Sequence, residues 1–311
     1  MPSSAQSVKL STIMRRLTTA GSLMILVNIA FIVAGAILLR YKLTLEDSGW
    51  DDALVGTDYE SVAVTATTVI QLLGIGAMAL GLLGIVGAIV QNRLVLLLYS
   101  VVMVVATSAF GVLVGTAFAF KNKAKVWEEA AFPANDQENE LAKTFNEVYC
   151  YAEGYYFCNS ATAEETYITF FPDASTTLIS VLPKITGIVS LCAQPVAMID
   201  GLSTVCEACN MASQFTRYDK ILTWAENKCP RNLITGHWCA SFLATGAADS
   251  IYEGTPYGQC RNIFLDVVID WSNSLAIAGL FVAISAAVIV VLACFSRRSK
   301  SFSKSENLPK K

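Results

Sequence analysis

Residues 81–98 read GLLGIVGAIVQNRLVLLL, an apolar stretch interrupted only at Gln91, Asn92 and Arg93. On either side of that break the chain runs without Asp, Glu, Lys or Arg, from 62 to 90 and again from 94 to 120. A helix needs about 20 residues to cross about 30 Å of hydrocarbon, and both runs exceed that. In lipid every backbone amide must be paired within the chain, so uncharged runs of this length form helices. The turn at 91–93 forces the two into an antiparallel hairpin.

Two more uncharged runs lie outward from this hairpin, at 17–39 and 275–295. The expected fold class is therefore an all-α membrane protein: a four-transmembrane-helix bundle with a short loop at 40–61 and a large one at 121–274. Composition agrees, since 54% of the 311 residues are hydrophobic and only 15% charged, with mean hydropathy +0.51. Ordinary soluble enzymes carry about 25% charge, so that class is excluded. The stretch 178–202 is apolar on average, but Pro183, Lys184 and Pro195 place it outside the membrane. The first run follows Lys9, Arg15 and Arg16 as a secretory signal would, yet it is too long for a signal core and is expected to remain as an anchor.

Charge sets the expected orientation. Residues 1–16 carry Lys9, Arg15 and Arg16 with no acid, and the tail 296–311 carries six basic residues against Glu306. Positive segments stay in the cytoplasm, which puts both termini and the 91–93 turn there. The large loop has 10 basic and 18 acidic residues and is expected on the opposite side. Net charge is −3, and no basic surface calls for nucleic acid. The basic tail could instead lie against anionic inner-leaflet lipid or simply be solvated.

Cysteine placement is independent of hydropathy. Cys150, Cys158, Cys192, Cys206, Cys209, Cys229, Cys239 and Cys260 all fall in the large loop. An even number in an oxidising compartment predicts four disulfides, with roughly a hundred possible connectivities left open. The ninth, Cys294, ends the last span beside Arg297 and Arg298; it is a palmitoylation candidate, with an inert thiol as the alternative.

Small residues mark where helices should meet. Gly21, Asn28 and Gly35 recur every seven residues in the first span, as do Gly74, Gly81 and Ala88 in the second. That spacing holds a seam toward one neighbour, and small side chains let backbones approach closely. Asn28 and Gln71 are polar residues inside the bilayer and are expected to hydrogen-bond to neighbouring helices. Gly111 and Gly115 form a GxxxG, a weak signal by itself. No span holds an ionisable side chain, which argues against ion-coupled transport.

Chemistry-bearing motifs are sparse. Cys206 and Cys209 form a CxxC, read as structural among six other loop cysteines, and His237 stands two residues before Cys239 as a weak metal signal. No GxSxG, P-loop or HExxH occurs, so no catalytic, cofactor-binding or metal site is expected and the chain is read as a non-enzyme.

The residues quoted above carry a resemblance. The hairpin 81–98 resembles the end of the second helix, the cytoplasmic turn and the start of the third helix in tetraspanins. The first span, with Asn28, Phe31 and Gly35, is similar to the family's first helix. A short first loop, a long cysteine-bearing second loop and Gly258-Gln259-Cys260 before the last span extend the similarity over the whole chain. The chain departs from the family in lacking the Cys-Cys-Gly signature, whose nearest substitutes are Cys150 or the Cys206/Cys209 pair. Ile85 and Val86 stand where membrane-proximal cysteines are usual, and no Glu or Gln occupies the third or fourth span.

What the resemblance implies is a membrane organiser, in the plasma membrane, that associates laterally with other integral membrane proteins, can form homo-oligomers and contacts membrane lipids. It implies no cofactor, though a sterol or lipid could lie between the helices. The large loop would rest on two stalks, Lys121–Ala131 continuing the third span and a helix with Ile263, Phe264, Val267, Val268 and Trp271 entering the fourth. Between them the segment 160–205 is expected to bind partners, with Phe170 and Phe171 as candidates. The aromatics of 149–202 could equally form a packed core. A claudin-like adhesion protein would put its large loop after the first span, against the order here. A channel or transporter subunit conducting past backbone carbonyls is the other alternative.

Overall fold

The computed structural model describes residues 19–57, 59–90, 93–170, 186–193, 206–207, 209, 217–246 and 253–306. These residues form ten helices: α1 Thr19–Ser48, α2 Trp50–Ala53, α3 Glu60–Val90, α4 Arg93–Glu129, α5 Asp136–Asn159, α6 Ala163–Phe170, α7 Ile188–Cys192, α8 Asp219–Lys228, α9 Leu233–Thr245 and α10 Pro256–Glu306. Among the described residues no strand occurs, only an isolated bridge between Thr162 and Thr186.

Four helices are long and apolar enough to cross a membrane, over Gly21–Ser48, Glu60–Val90, Leu97–Glu129 and Pro256–Val291. They overrun the uncharged sequence at several ends. α1 continues past Leu39 through Arg40 to Ser48 and stops where Gly49 takes φ 79°. Leaving hydrocarbon gives a helix no reason to end, because its hydrogen bonds persist in water until a residue breaks them.

The chain divides into two compact units. The first holds the membrane segments: residues up to Lys42, Thr67–Lys121 and Trp271 onward. Its interior is set by a stripe on α3 of Ile70, Gly74, Ala77, Gly81, Gly84 and Ala88, all buried. These positions repeat at three- and four-residue steps, which keeps them on one helical face. α1 lies close against that stripe. A Cβ built on Gly35 would stand 2.7 Å from the Gly74 carbonyl oxygen, and one on Gly81 would stand 2.5 Å from Ile32. α4 contributes Phe110, edge-on to Phe31 with ring centroids 6.0 Å apart. α10 approaches α4 at Gly279, whose absent Cβ leaves room for Val114. Since lipid is as apolar as leucine, this dispersion contact is what holds the helices together.

The second unit comprises Leu43–Ala66 and Asn122–Asp270. The expected stalks are both helical. Ala124 and Trp127 of α4 pack against Leu265, Val268 and Ile269 of α10 in one apolar cluster. Arg261 ties them further, its guanidinium donating to the Trp127 carbonyl and, at 2.7 Å, to Glu138 Oε1. Glu138 is fully buried and also accepts from Tyr257 Oη at 3.0 Å, so its charge is paired and hydrogen-bonded. Around this network lie Phe145, Phe264, Tyr257 and Trp224, with centroid separations of 4.9 Å between Phe145 and Phe264 and 5.5 Å between Phe145 and Tyr257. Trp50, from the short loop after the first span, enters the same cluster at 5.3 Å from both Trp224 and Phe264. The short loop is thus folded into this core.

Candidate functional site

Four disulfides organise the second unit around α5. Cys150 joins Cys239 on α9, and Cys158 joins Cys209, with Cα separations of 4.9 and 5.4 Å. Both α5 cysteines leave one face, being eight residues apart. Cys192 at the end of α7 pairs with Cys206, and Cys229 after α8 pairs with Cys260 in the first turns of α10. Cys206 and Cys209, adjacent in the CxxC, go to different partners. His237 has no thiolate beside it: Cys239 is oxidised, and His237 Nδ1 lies 3.0 Å from the Thr169 carbonyl. Among the described residues no group of three His, Cys, Asp or Glu side chains could hold a metal ion.

The aromatic segment resolves into core. Tyr149 and Phe157 are buried, and Phe157 clusters with Cys158, Ala161, Ile188 and Cys209. Phe170 packs edge-on against Phe157 at 5.5 Å, so part of its ring is committed to that cluster. Its apolar area is only partly available to a partner. Phe171 and most of 171–205 lie outside the described residues.

A cleft of about 460 Å³ opens beside this core, lined by Phe157, Glu165, Thr169, Arg231, Leu233 and Gly236, with Glu226 and Asn232 among its other walls. Its geometry follows from two local signals. The Asn232-Leu-Ile-Thr235 sequence forms a capping box: Asn232 Oδ1 accepts from the backbone N–H of Thr235 at 3.0 Å, and Thr235 Oγ1 accepts from the Asn232 N–H at 3.0 Å. That cap fixes the start of α9 and places Arg231 just before it. On the opposite wall Thr162 Oγ1 accepts from the Glu165 N–H at 3.1 Å, setting the first turn of α6.

Arg231 is the centre of the cleft's electrostatics. Its Nη1 donates to Glu226 Oε1 at 3.1 Å and its Nε lies 3.4 Å from Glu165 Oε1 and 3.8 Å from Glu153 Oε2. The guanidinium covers the Tyr156 ring at 3.5 Å, while Tyr156 Oη donates to Glu165 Oε2 at 2.8 Å. Glu153 on α5 is 1% exposed, and neither of its carboxylate oxygens has a hydrogen-bond partner among the described residues. Burial raises its pKa from the ordinary value to about 7; Arg231 opposes that rise and Glu226 and Glu165 reinforce it. The charge pattern was missed in the sequence, where Glu153, Glu165, Glu226 and Arg231 are far apart and carry no motif.

The seam residues named from sequence lie as follows. Gly21, Asn28, Gly35, Gly74, Gly81 and Ala88 are all buried. Asn28 accepts a 2.5 Å hydrogen bond from Tyr99 Oη of α4 and donates to the Met24 carbonyl at 2.8 Å. Gly84 makes this possible, because a Cβ there would overlap Asn28 Oδ1 and Tyr99 Oη. Gln71, expected to bond between helices, lies exposed on α3. It follows buried Ile70 by one residue, and one residue turns a helix by about 100°, off the packed stripe. Gly111 and Gly115 are exposed with open space where a Cβ would stand, so that GxxxG packs against nothing among the described residues. Cys294 lies within α10, its side chain outside the described residues.

Four apolar spans, the long loop between the third and fourth and the four bridges within it define an integral multi-pass membrane protein with a disulfide-bonded helical domain. The sequence model of the tetraspanin family matches residues 21–299, and the chain belongs to that family. No curated protein and no solved structure matches it significantly.

Proposed function

We propose that this tetraspanin is a membrane organiser that gathers other integral membrane proteins laterally, through its helix bundle and the surface of its large loop. The observation that carries the reading is the design of the second unit, together with family membership. Four bridges and a buried aromatic cluster fix a rigid body, while Leu233 and Ile234 stand 68% and 60% exposed at the start of α9 and Ile168 of α6 is 37% exposed. Large exposed apolar side chains on a fixed frame are what a binding surface needs. In this reading both termini face the cytoplasm, the cysteine-bearing loop faces outward at the plasma membrane, and the protein scaffolds rather than catalyses. Lipid or sterol between the helices would be a structural companion, and contacts with like copies would extend the assembly.

Purification in mild detergent followed by mass spectrometry tests it: a reproducible set of membrane proteins should accompany the chain. Replacing 160–205 with the corresponding segment of another tetraspanin should change that set. A chain that purifies alone, under conditions that hold other weak membrane complexes together, removes the organiser reading. Epitope tags at each end, probed on intact cells, should both be inaccessible from outside.

A further inference from the structure

We propose that the Cys192–Cys206 bridge is the site at which an extracellular dithiol reductant acts on this protein, and that its opening passes through the Cys206-Glu-Ala-Cys209 motif to break Cys158–Cys209 as well. A single dithiol then unties the motif from two helices. The chemistry concerns this chain's own sulfurs and stands apart from the organiser reading.

The four bridges differ in access. Cys150, Cys158, Cys209, Cys229, Cys239 and Cys260 are buried, whereas Cys192 and Cys206 are both partly exposed. Exchange requires a thiolate to reach a disulfide sulfur, so an external reductant meets Cys192–Cys206 first. That bridge also spans the smallest separation, 14 residues against 31, 51 and 89, and so constrains the unfolded chain least. The two bridges that share the motif lie together. Cys158 and Cys209 belong to the apolar cluster of Phe157, Ala161 and Ile188, and Cys192 and Cys206 pack against it. Only Glu207 and Ala208 separate Cys206 from Cys209, the spacing at which redox-active dithiols close into a disulfide. So short a tether holds a Cys206 thiolate at high effective concentration beside Cys209.

The steps balance. The reductant's first thiolate bonds to Cys192 Sγ and Cys206 leaves as a thiolate; the reductant's second thiol then displaces Cys192 and departs as a disulfide. The Cys206 thiolate attacks Cys209 Sγ, forming Cys206–Cys209 and expelling Cys158. Cys158 and Cys192 take up the two protons that the dithiol gave up, and one disulfide is reduced in net. Beforehand the motif is bonded to α5 through Cys158 and to the end of α7 through Cys192; afterwards it is bonded to neither. Cys150–Cys239 still joins α5 to α9, and Cys229–Cys260 still joins the end of α8 to α10. The change is thereby confined to the Phe157 cluster.

The test uses the full-length protein in nanodiscs, with thiols already free blocked by N-ethylmaleimide. Dithiothreitol is raised in steps, each sample is quenched in acid, and new thiols are labelled with isotopically heavy N-ethylmaleimide and mapped by non-reducing digestion and mass spectrometry. At the lowest effective concentration the heavy label should appear on Cys158 and Cys192 in equal amounts, with Cys206 at background and a new Cys206–Cys209 peptide. The variant Cys192→Ser leaves Cys206 without its partner and should undergo the exchange with no reductant, yielding its free thiol at Cys158. Heavy label on Cys192 and Cys206 with Cys158–Cys209 intact overturns the relay. First labelling of the Cys150–Cys239 or Cys229–Cys260 pair, or the opening of all four bridges together, overturns the assignment of the reducible site. If Cys192→Ser does not fold, the titration of the unmodified protein decides both points alone.

Discussion

Glu153 is a carboxyl buried at a cost that depends on pH. Its carboxyl titrates near 7 in the folded protein, raised by burial from about 4.5. Between those values the folded state holds a proton that the unfolded chain has released, so stability falls as pH rises through this window and levels off above it. A shift of this size corresponds to something on the order of 3 kcal/mol. Glu153→Gln should therefore stabilise the protein at pH 8 and lose that advantage as pH approaches 4.5, measured by denaturant unfolding across pH. A difference between the two proteins that is constant with pH would show that Glu153 does not titrate in this range. Asn28, Tyr99 and Gly84 form the corresponding trio in the membrane unit, where the glycine makes space for the hydrogen bond. Tyr99→Phe should cost about 1 kcal/mol in detergent, and Gly84→Ala about as much or more. Because both substitutions break one bond, the double variant should cost less than their sum. Additive losses would place the two effects at separate sites.

At the scale of elements, legibility depended on whether the signal was local. Spans and seam were visible in the sequence because hydropathy and seven-residue spacing are properties of a single helix. The Asn232–Thr235 cap is equally local, and its capping box could have been read from four residues. Cysteine pairing was not legible, since Cys150–Cys239 and Cys158–Cys209 close separations of 89 and 51 residues that only the tertiary fold brings together. Trp50 escaped for the same reason, its partners Phe145, Trp224 and Phe264 being distant in sequence. The expectation for Gln71 failed on phase: polarity identified a residue needing a partner, but only the position of the packed stripe on α3 says which way it faces. The four bridges should also differ in worth. A crosslink restricts the unfolded chain more when it closes a longer loop, so replacing Cys150 and Cys239 by Ala should cost more than replacing Cys192 and Cys206, which are 14 residues apart. Paired unfolding measurements in non-reducing detergent decide this, with the expected loss for the longer loop about 2–5 kcal/mol. An equal or reversed order would mean that native packing around each bridge outweighs chain entropy.

The whole molecule is held by two kinds of force that different reagents address. In the membrane unit, stability comes from close backbone contact at Gly35, Gly74, Gly81 and Gly279 and from the Asn28–Tyr99 hydrogen bond, none of which involves sulfur. In the other unit all four bridges converge on a core whose largest buried side chains are aromatic, Tyr149, Phe145, Phe157, Tyr218 and Tyr257 among them. Helices α4 and α10 run through both, from Arg93 to Glu129 and from Pro256 to Glu306, yet hydrogen bonds within a helix extend protection only a turn or so past the last packed contact. Reduction of the protein in nanodiscs should accordingly open one unit and spare the other. Hydrogen exchange read by mass spectrometry should rise across 136–159 and 217–246, the segments that the bridges join, while 21–39, 67–90 and 97–117 keep their protection. Within α10 the boundary should fall near Trp271, where the division between the units falls. If the spans lose protection together with α5 and α9, the two units fold as one cooperative body and the bridges stabilise the bundle as well. If neither changes, the aromatic core alone carries the loop, and the disulfides act on its folding rather than on its native stability.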